Sequence, residues 1–264
     1  AERYWLDLGV PGERIIRCGE KDNFWGPAGQ TGPCGSCSEI HYDFGPDRGC
    51  GKLDCNPSCG CGRFLEIWNL VFMQFNQDEQ KIRTPLPRPN IDTGMGLERV
   101  ACVLQNKASV YETDVFTPLL ERISALTGRR YGESEAITRA MRVVAEHARA
   151  ITFLIADGVI PANEGRGYVL RRVLRRAALF GRKLDLKGAF LTEIGRTVIE
   201  QMGGVYPELV RGREYILNVI EIEENRFNQT LTTGMNLLDE IMAGLRSKGI
   251  SVISGEQAFR LYDT

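Results

Sequence analysis

Residues 63–76, RFLEIWNLVFMQFN, restrict the fold of this chain more than any other stretch. Side chains alternate across a strand, so Leu65, Ile67, Asn69, Val71 and Met73 share one face and Phe64, Glu66, Trp68, Leu70 and Phe72 the other. Both faces are mainly apolar, which is the pattern of a central strand covered on each side. Glu66 and Asn69 interrupt it. A buried polar group without a partner is costly, so these two require either a satisfied network or a ligand. The proline-rich TPLPRPN that follows, residues 84–90, is unsuited to a second central strand.

The next segment, PNIDTGMGLERV at 89–100, contains Gly94-Met95-Gly96-Leu97-Glu98-Arg99. Two glycines in this spacing suggest a dinucleotide loop, but an arginine stands where the third glycine of that fingerprint belongs. A Gly-rich strand-to-helix corner with an arginine on the first helical turn, followed by a basic helical part, fits an ATP-dependent enzyme acting on RNA. The chain lacks a Gly-x4-Gly-Lys-Ser/Thr loop, which excludes a P-loop nucleotidase. His41 and His147 are its two histidines, too few and too separated for a paired-histidine metal motif. There is no serine nucleophile elbow, and neither histidine is tied to a nucleophile.

Near residue 115 the pattern changes from strand-like to helical. Val144, Ala148, Ile151 and Ile155 form one stripe, stopped by Gly158, while Leu170, Val173, Leu174 and Ala177 form another. Segments at about 188–203, 207–226 and 228–248 read as further helices. The expected architecture is α+β, a mixed part followed by an all-helical part. Between Arg139 and Lys183 there are ten basic residues against three acidic, and from Leu184 onward eight against twelve. Such asymmetry suggests a polyanion partner for the basic segment, although a solvated helical surface has the same composition. Arg171 and Arg175, and likewise Arg172 and Arg176, stand four apart. Like charges at that spacing repel unless carboxylates or phosphates oppose them.

Six of the eight cysteines lie between residues 34 and 61. Cys50, Cys55, Cys59 and Cys61 occupy a Gly/Pro/Asn-rich loop with little to pack, and zinc can hold such a loop through thiolates, with His41 a spare ligand. Disulfides in a secreted protein and idle loop thiols are the alternatives. Cys34-Gly35-Ser36-Cys37 reads as a small-residue turn rather than a redox pair. No apolar run reaches the ~18 residues of a membrane helix, and no secretory leader opens the chain, so a cytoplasmic protein is expected. The chain begins with Ala1 and ends inside an apparent element, as a piece of a longer protein would.

DNFWGPAGQTGPCGSCSEI, FLEIWNLVFMQFN, IDTGMGLERV, ANEGRGYVLRRVLRRA and GEQAFRLYDT, in this order along nearly the whole chain, resemble the alanyl-tRNA synthetases, a family of class II aminoacyl-tRNA synthetases. The resemblance implies residues 1–116 as the second half of an antiparallel-sheet catalytic domain, with class II motifs 1 and 2 lying before Ala1. It implies residues 117–264 as most of a helical domain that recognises the tRNA acceptor stem, with editing and oligomerisation regions lying beyond Thr264. The activity implied is ATP-dependent activation of alanine and its transfer to tRNA(Ala), with Mg²⁺ accompanying ATP; without motifs 1 and 2 the piece alone is expected to be inactive. The glycine–arginine segment then resembles class II motif 3, with Gly96 beside the nucleotide and Arg99 on ATP phosphate. Asp92 would pair with the alanine ammonium beside Gly94, and Asn69 would bond the polar end of alanine. Trp25 and Val71 would limit the pocket to a methyl group. Glu66 would serve ATP-bound Mg²⁺, although strict alternation turns it away from Asn69 unless the strand bulges. Asn163, Arg171, Arg172, Arg175 and Arg176 would meet the acceptor stem, whose G·U wobble the family reads; Asn163 also suits a helix N-cap. A nucleic-acid-binding piece without catalysis and a zinc-organised scaffold are the other two readings.

Overall fold

A computed structural model describes residues 1–263; Thr264 lies outside the described residues. The chain divides into two compact units, Ala1–Thr113 and Asp114–Thr264. The first opens with a short helix, α1 (Glu2–Asp7), and is built on four strands: β1 (Phe24–Trp25), β2 (Gly32–Asp43), β3 (Phe64–Gln77) and β4 (Arg83–Met95). They form one antiparallel sheet in the order β1-β2-β3-β4.

β3 is an interior strand, as its composition requires. The proline-rich stretch also joins the sheet, in β4, which has β3 as its one neighbour. An edge strand has N–H groups that need no ladder partner, so proline is tolerated there. The register slips at this point: from Met73↔Asn90 to Phe75↔Pro85 the sheet advances two residues on β3 but five on β4. Cys34 and Cys37, expected in a turn, lie within β2 and are buried. Between them the register shifts, and a Cβ on Gly35 would lie 1.7 Å from the Phe72 carbonyl oxygen, so glycine permits the close approach of the two strands.

The buried centre of the sheet is small, comprising Cys37, Val71 and Met73 with Leu86 against them. Trp68 and Ile91 stay well exposed although the sequence of β3 anticipates cover on both faces. A sheet buries both faces only when a layer lies over each, and this unit adds to its strands α1, one longer helix, four single-turn 3-10 helices and loops. That helix, α2 (Leu97–Leu104), starts immediately after β4, with Gly96 as its N-cap.

The second unit is helical: α3 (Thr117–Thr127), α4 (Glu135–Ala156), α5 (Gly165–Arg182), α6 (Leu191–Met202), α7 (Pro207–Arg211), α8 (Arg213–Ser247) and α9 (Gly255–Tyr262). α4 supplies the core stripe foreseen from its periodicity. Val144, Ala148, Ile151 and Ile155 are buried where α4 packs on α5 and α6, whose own buried residues include Leu170, Leu174 and Ala177, and Ile194 and Val198. The Ser134 side chain caps α4 by accepting from the Ile137 N–H. The break expected near residue 227 is absent, and α8 runs unbroken for 35 residues. The chain bends at Gly212 instead. Asn228 sits inside the helix with its side-chain oxygen occupied by Arg182 Nη2 at 3.0 Å, which removes its incentive to bond its own backbone and end the helix.

Candidate functional site

The face of the sheet that carries Val71 gathers the polar residues. Val71 lies opposite Asp92 on β4 and Cys37 on β2, and Asn69 lies opposite Gly94 and Glu39. Residues paired in this way share a face. Below Asn69 the register shifts again: Ile40 faces Trp68, but the next residue, His41, faces Glu66. Ile67 is therefore an extra residue, a bulge that turns Glu66 onto the face of Asn69 and Val71. The bulge carbonyl is used as well, since Ile67 O accepts the Gly96 N–H at 3.1 Å and so anchors the start of α2.

Arg99 reaches back from the first turn of α2. Its Nη1 donates to the Glu66 carbonyl at 3.0 Å and to Glu66 Oε2 at 2.9 Å. A Cβ on Gly96 would come within 3.1–3.3 Å of the Arg99 side chain, whereas one on Gly94 would meet nothing within 4 Å. The two glycines thus differ: Gly96 makes room for the arginine, and Gly94 leaves an open surface beside Asp92. Asp92 is exposed, as is Trp25, on β1 opposite Gly35.

Glu39 organises the middle of this face. Its Oε1 accepts from Asn69 Nδ2 at 3.1 Å, and its Oε2 lies 3.0 Å from His41 Nε2. A carboxylate can only accept, so it fixes the Asn69 amide with the NH₂ toward itself and the carbonyl turned away. That carbonyl oxygen, Oδ1, is buried and has no protein partner among the described residues. Next to it, burial raises the Cys37 thiol, which keeps it a neutral wall of the site. The face presents a carboxylate at Asp92 and a guanidinium–carboxylate pair at Arg99 and Glu66, with the unpaired Asn69 carbonyl buried beneath it. Such a set can bind an ammonium near its centre and a phosphate near its rim.

In the helical unit the arginine ladder divides by face. Arg175 Nε donates to Glu223 Oε1 at 3.0 Å. Arg171 Nε lies 3.1 Å from the same oxygen without being in line for a hydrogen bond, so that contact is an ion pair. Glu223 is buried, and two cations meet one carboxylate there. Arg171 also donates to Asn163 Oδ1, so Asn163 orients an arginine rather than capping α5, whose N-cap is Glu164. Arg172 and Arg176 point the other way and are exposed, lying over the Tyr168 and Phe180 rings at 5.6 and 5.2 Å.

In the cysteine loop, the sulfurs of Cys50, Cys55 and Cys61 lie within 4.8 Å of one another. Cys59 is not in that group; its sulfur accepts the Asn56 N–H at 3.3 Å. His41, engaged by Glu39, is not in it either.

The family model for tRNA synthetases class II (A) matches residues 1–264. The chain belongs to the class II (A) tRNA synthetases. Among curated relatives, an alanine–tRNA ligase of Dehalococcoides mccartyi is 60% identical over 260 residues, 98% of this chain. Alanine–tRNA ligases of Desulfosudis oleivorans and Natranaerobius thermophilus are 52% and 50% identical over 261 residues, again 98% of this chain. The chain spans about 30% of the length of each of these relatives. No helix among the described residues is long and apolar enough to cross a membrane.

For a synthetase of this class, two residues not singled out from sequence, Glu39 and Glu223, shape the candidate surfaces, together with His41, which the sequence offered only as a spare zinc ligand. Glu39 and Glu223 set the orientation of Asn69 and of the inner arginines, and His41 sets one side of Glu39. The alternation of β2 could have pointed to Glu39, which shares a face with Cys37 and His41. Nothing local distinguishes Glu223 from the other glutamates of EIEEN.

Proposed function

We propose that this chain is the alanine-binding and phosphate-binding part of an alanine–tRNA ligase, joined to the helices that receive the acceptor stem of tRNA(Ala). The observation that carries this reading is the bulge at Ile67, which puts Glu66 beside Asn69, Val71, Asp92 and Gly94, next to the Gly96–Arg99 corner. The relatives named alanine–tRNA ligase support it over 98% of the chain.

In this reading the alanine ammonium lies between the Asp92 carboxylate and the Asn69 carbonyl. Val71 and Trp25 bound the space for its methyl group. The alanine carboxylate attacks the α-phosphorus of ATP and displaces pyrophosphate. The terminal ribose hydroxyl of tRNA then attacks the acyl carbon and releases AMP. Neither step draws on a side-chain base among these residues; positioning and charge neutralisation carry the rate. Arg99 neutralises phosphate oxygens, and its hold on Glu66 keeps it aimed at the rim of the site. A hard cation fits Glu66, whose Oε2 is taken by Arg99 while the other oxygen remains, because Mg²⁺ is commonly held by one or two carboxylates with phosphates and water completing its shell. When bound, Mg²⁺ would supply charge neutralisation to the departing pyrophosphate. Asn163 and the α5 arginines form the RNA-facing end, with Arg172 and Arg176 on the outside and Arg171 and Arg175 held from behind by Glu223.

The test is alanine-dependent exchange of pyrophosphate into ATP by the chain joined to a segment carrying class II motifs 1 and 2. Exchange with alanine that disappears in Arg99→Ala supports the reading. Exchange that persists undiminished in Arg99→Ala excludes the assigned phosphate role.

A further inference from the structure

The loop that joins β2 to β3, residues 44–63, has almost no hydrophobic means of staying folded. Its one large aliphatic side chain, Leu53, is fully exposed. Three thiols nevertheless converge in it. Cys50, Cys55 and Cys61 come from separate turns, yet their sulfurs lie within 4.8 Å of one another, and Cys55 and Cys61 are 3.7 Å apart. All three are free thiols, far beyond disulfide length. They are not buried as a core would be, since Cys50 is exposed and the others are half-exposed. Tetrahedral bonds of ~2.3 Å from zinc to thiolate place the sulfurs about 3.8 Å apart, which is the Cys55–Cys61 spacing.

The backbone is shaped to match. Gly51 and Gly62, each directly after a member of the group, have φ of +75° and +89°, values that side-chain-bearing residues rarely adopt. These turns fold the chain back around the sulfurs. The Arg63 N–H is directed at the Cys61 sulfur. The Arg63 guanidinium lies beside Cys55, opposing the negative charge that three thiolates would give a divalent ion. It is itself fixed by two hydrogen bonds to Asp43, each 2.7 Å. Cys59 is spent on a different task, accepting the Asn56 N–H at the turn Pro57–Cys59.

We propose that Cys50, Cys55 and Cys61 form a three-thiolate site for a soft divalent cation of the zinc type, with the fourth position open and Cys59 outside it. Its effect is structural. The cation ties the loop to the start of β3, and through Arg63 and Asp43 to the end of β2. The loop residues Cys55, Asn56, Ser58 and Arg63 line a cavity of about 890 Å³ together with Glu39 and His41. Fixing the loop therefore fixes one wall of the space beside the residues that orient Asn69. The proposal stands on the loop alone and does not depend on the ligase reading.

Co²⁺ is the probe, because its thiolate charge-transfer absorption reports thiolate ligands directly. The reduced 264-residue chain is expected to bind one Co²⁺, to lose it to equimolar Zn²⁺, and to melt at a higher temperature with either metal. Cys50→Ser, Cys55→Ser and Cys61→Ser should each weaken binding by tenfold or more, while Cys59→Ser binds as the parent does. The three weakened variants should melt with the metal-free parent, which separates loss of a ligand from loss of the fold. No Co²⁺ uptake by the reduced parent overturns the proposal. So does loss of binding in Cys59→Ser equal to that in the others, which would mean a closed four-thiolate site. Isolation of a metal-free Cys55–Cys61 disulfide that re-forms after reduction in the presence of Zn²⁺ would also overturn it, in favour of a redox pair.

Discussion

Glu66 and Arg99 neutralise one another at 2.9 Å, with both side chains partly exposed. An exposed pair of this kind contributes roughly 0.2–1 kcal/mol, so Glu66→Gln should scarcely move the melting temperature. If Glu66 serves a nucleotide-bound cation, the same substitution should raise the Mg²⁺ concentration needed for ATP binding. Calorimetric titration of ATP at several Mg²⁺ concentrations reads this, and an unchanged Mg²⁺ requirement would leave Glu66 as a holder of Arg99 alone. Asp92 has a different signature. Asp92→Asn preserves shape and removes the charge proposed to meet the ammonium, a loss on the order of 2 kcal/mol, or roughly thirtyfold, in alanine affinity. ATP affinity should change little. Equal weakening of both ligands, measured in a protein that includes motifs 1 and 2, would make Asp92 a structural residue.

At the scale of the elements, the start of α6 is capped from another helix. Glu224 of α8 accepts the Phe190 N–H at 3.1 Å and the Leu191 N–H at 3.0 Å, satisfying two of the donors that every helix start leaves unpaired. Burial raises its carboxyl from the ordinary 4.5 to about 7, against the opposing pull of the two N–H groups. The folded state thus retains a proton across a range where the unfolded chain has released it. By linkage, the stability this provides is complete below about pH 4.5 and is lost as pH rises toward about 7. Relative to the parent, Glu224→Gln should show a flatter melting-temperature profile between pH 4.5 and 7. A parent and a variant with parallel profiles would show that another group dominates that window. In the first unit the corresponding device is the bulge at Ile67, where one extra residue both turns Glu66 inward and offers a carbonyl to Gly96.

Across the whole molecule, the arginines of α5 serve two purposes that charge counting merges. Glu223, buried between Arg171 and Arg175, offsets their repulsion, whereas Arg172 and Arg176 remain exposed on the opposite side. Replacing Arg172 and Arg176 together by glutamine removes one repulsive pair, and the melting temperature should hold or rise slightly. Binding of a tRNA(Ala) acceptor stem should weaken, and the slope of log affinity against log salt should become shallower by up to about two phosphate contacts. A lower melting temperature with an unchanged salt slope would overturn the proposed RNA contact of these arginines. Arg171 and Arg175 treated the same way should instead destabilise the unit, because a buried carboxylate is left without its cations.

The sequence by itself determined the elements whose cause is local. Apolar residues on both faces made β3 an interior strand, the α4 stripe became the core of the helical unit, and Gly158 ended that helix region as expected. The corner from β4 into α2 was likewise legible, because glycine and arginine in that spacing carry a specific backbone and charge requirement. Only tertiary structure decided which way Glu66 points, since strict alternation turns it away and a bulge is set by how β2 and β3 pair rather than by either strand alone. The same holds for the inward and outward arginines of α5, alike in sequence and sorted only by the position of Glu223 about fifty residues further on. It holds too for the cysteines. Four cysteines alike in sequence become a cluster of three sulfurs once the turns are folded, because Cys59 caps its own turn. Local propensity fixes what a segment can form; the partner it meets across the fold fixes which side chains are left to act.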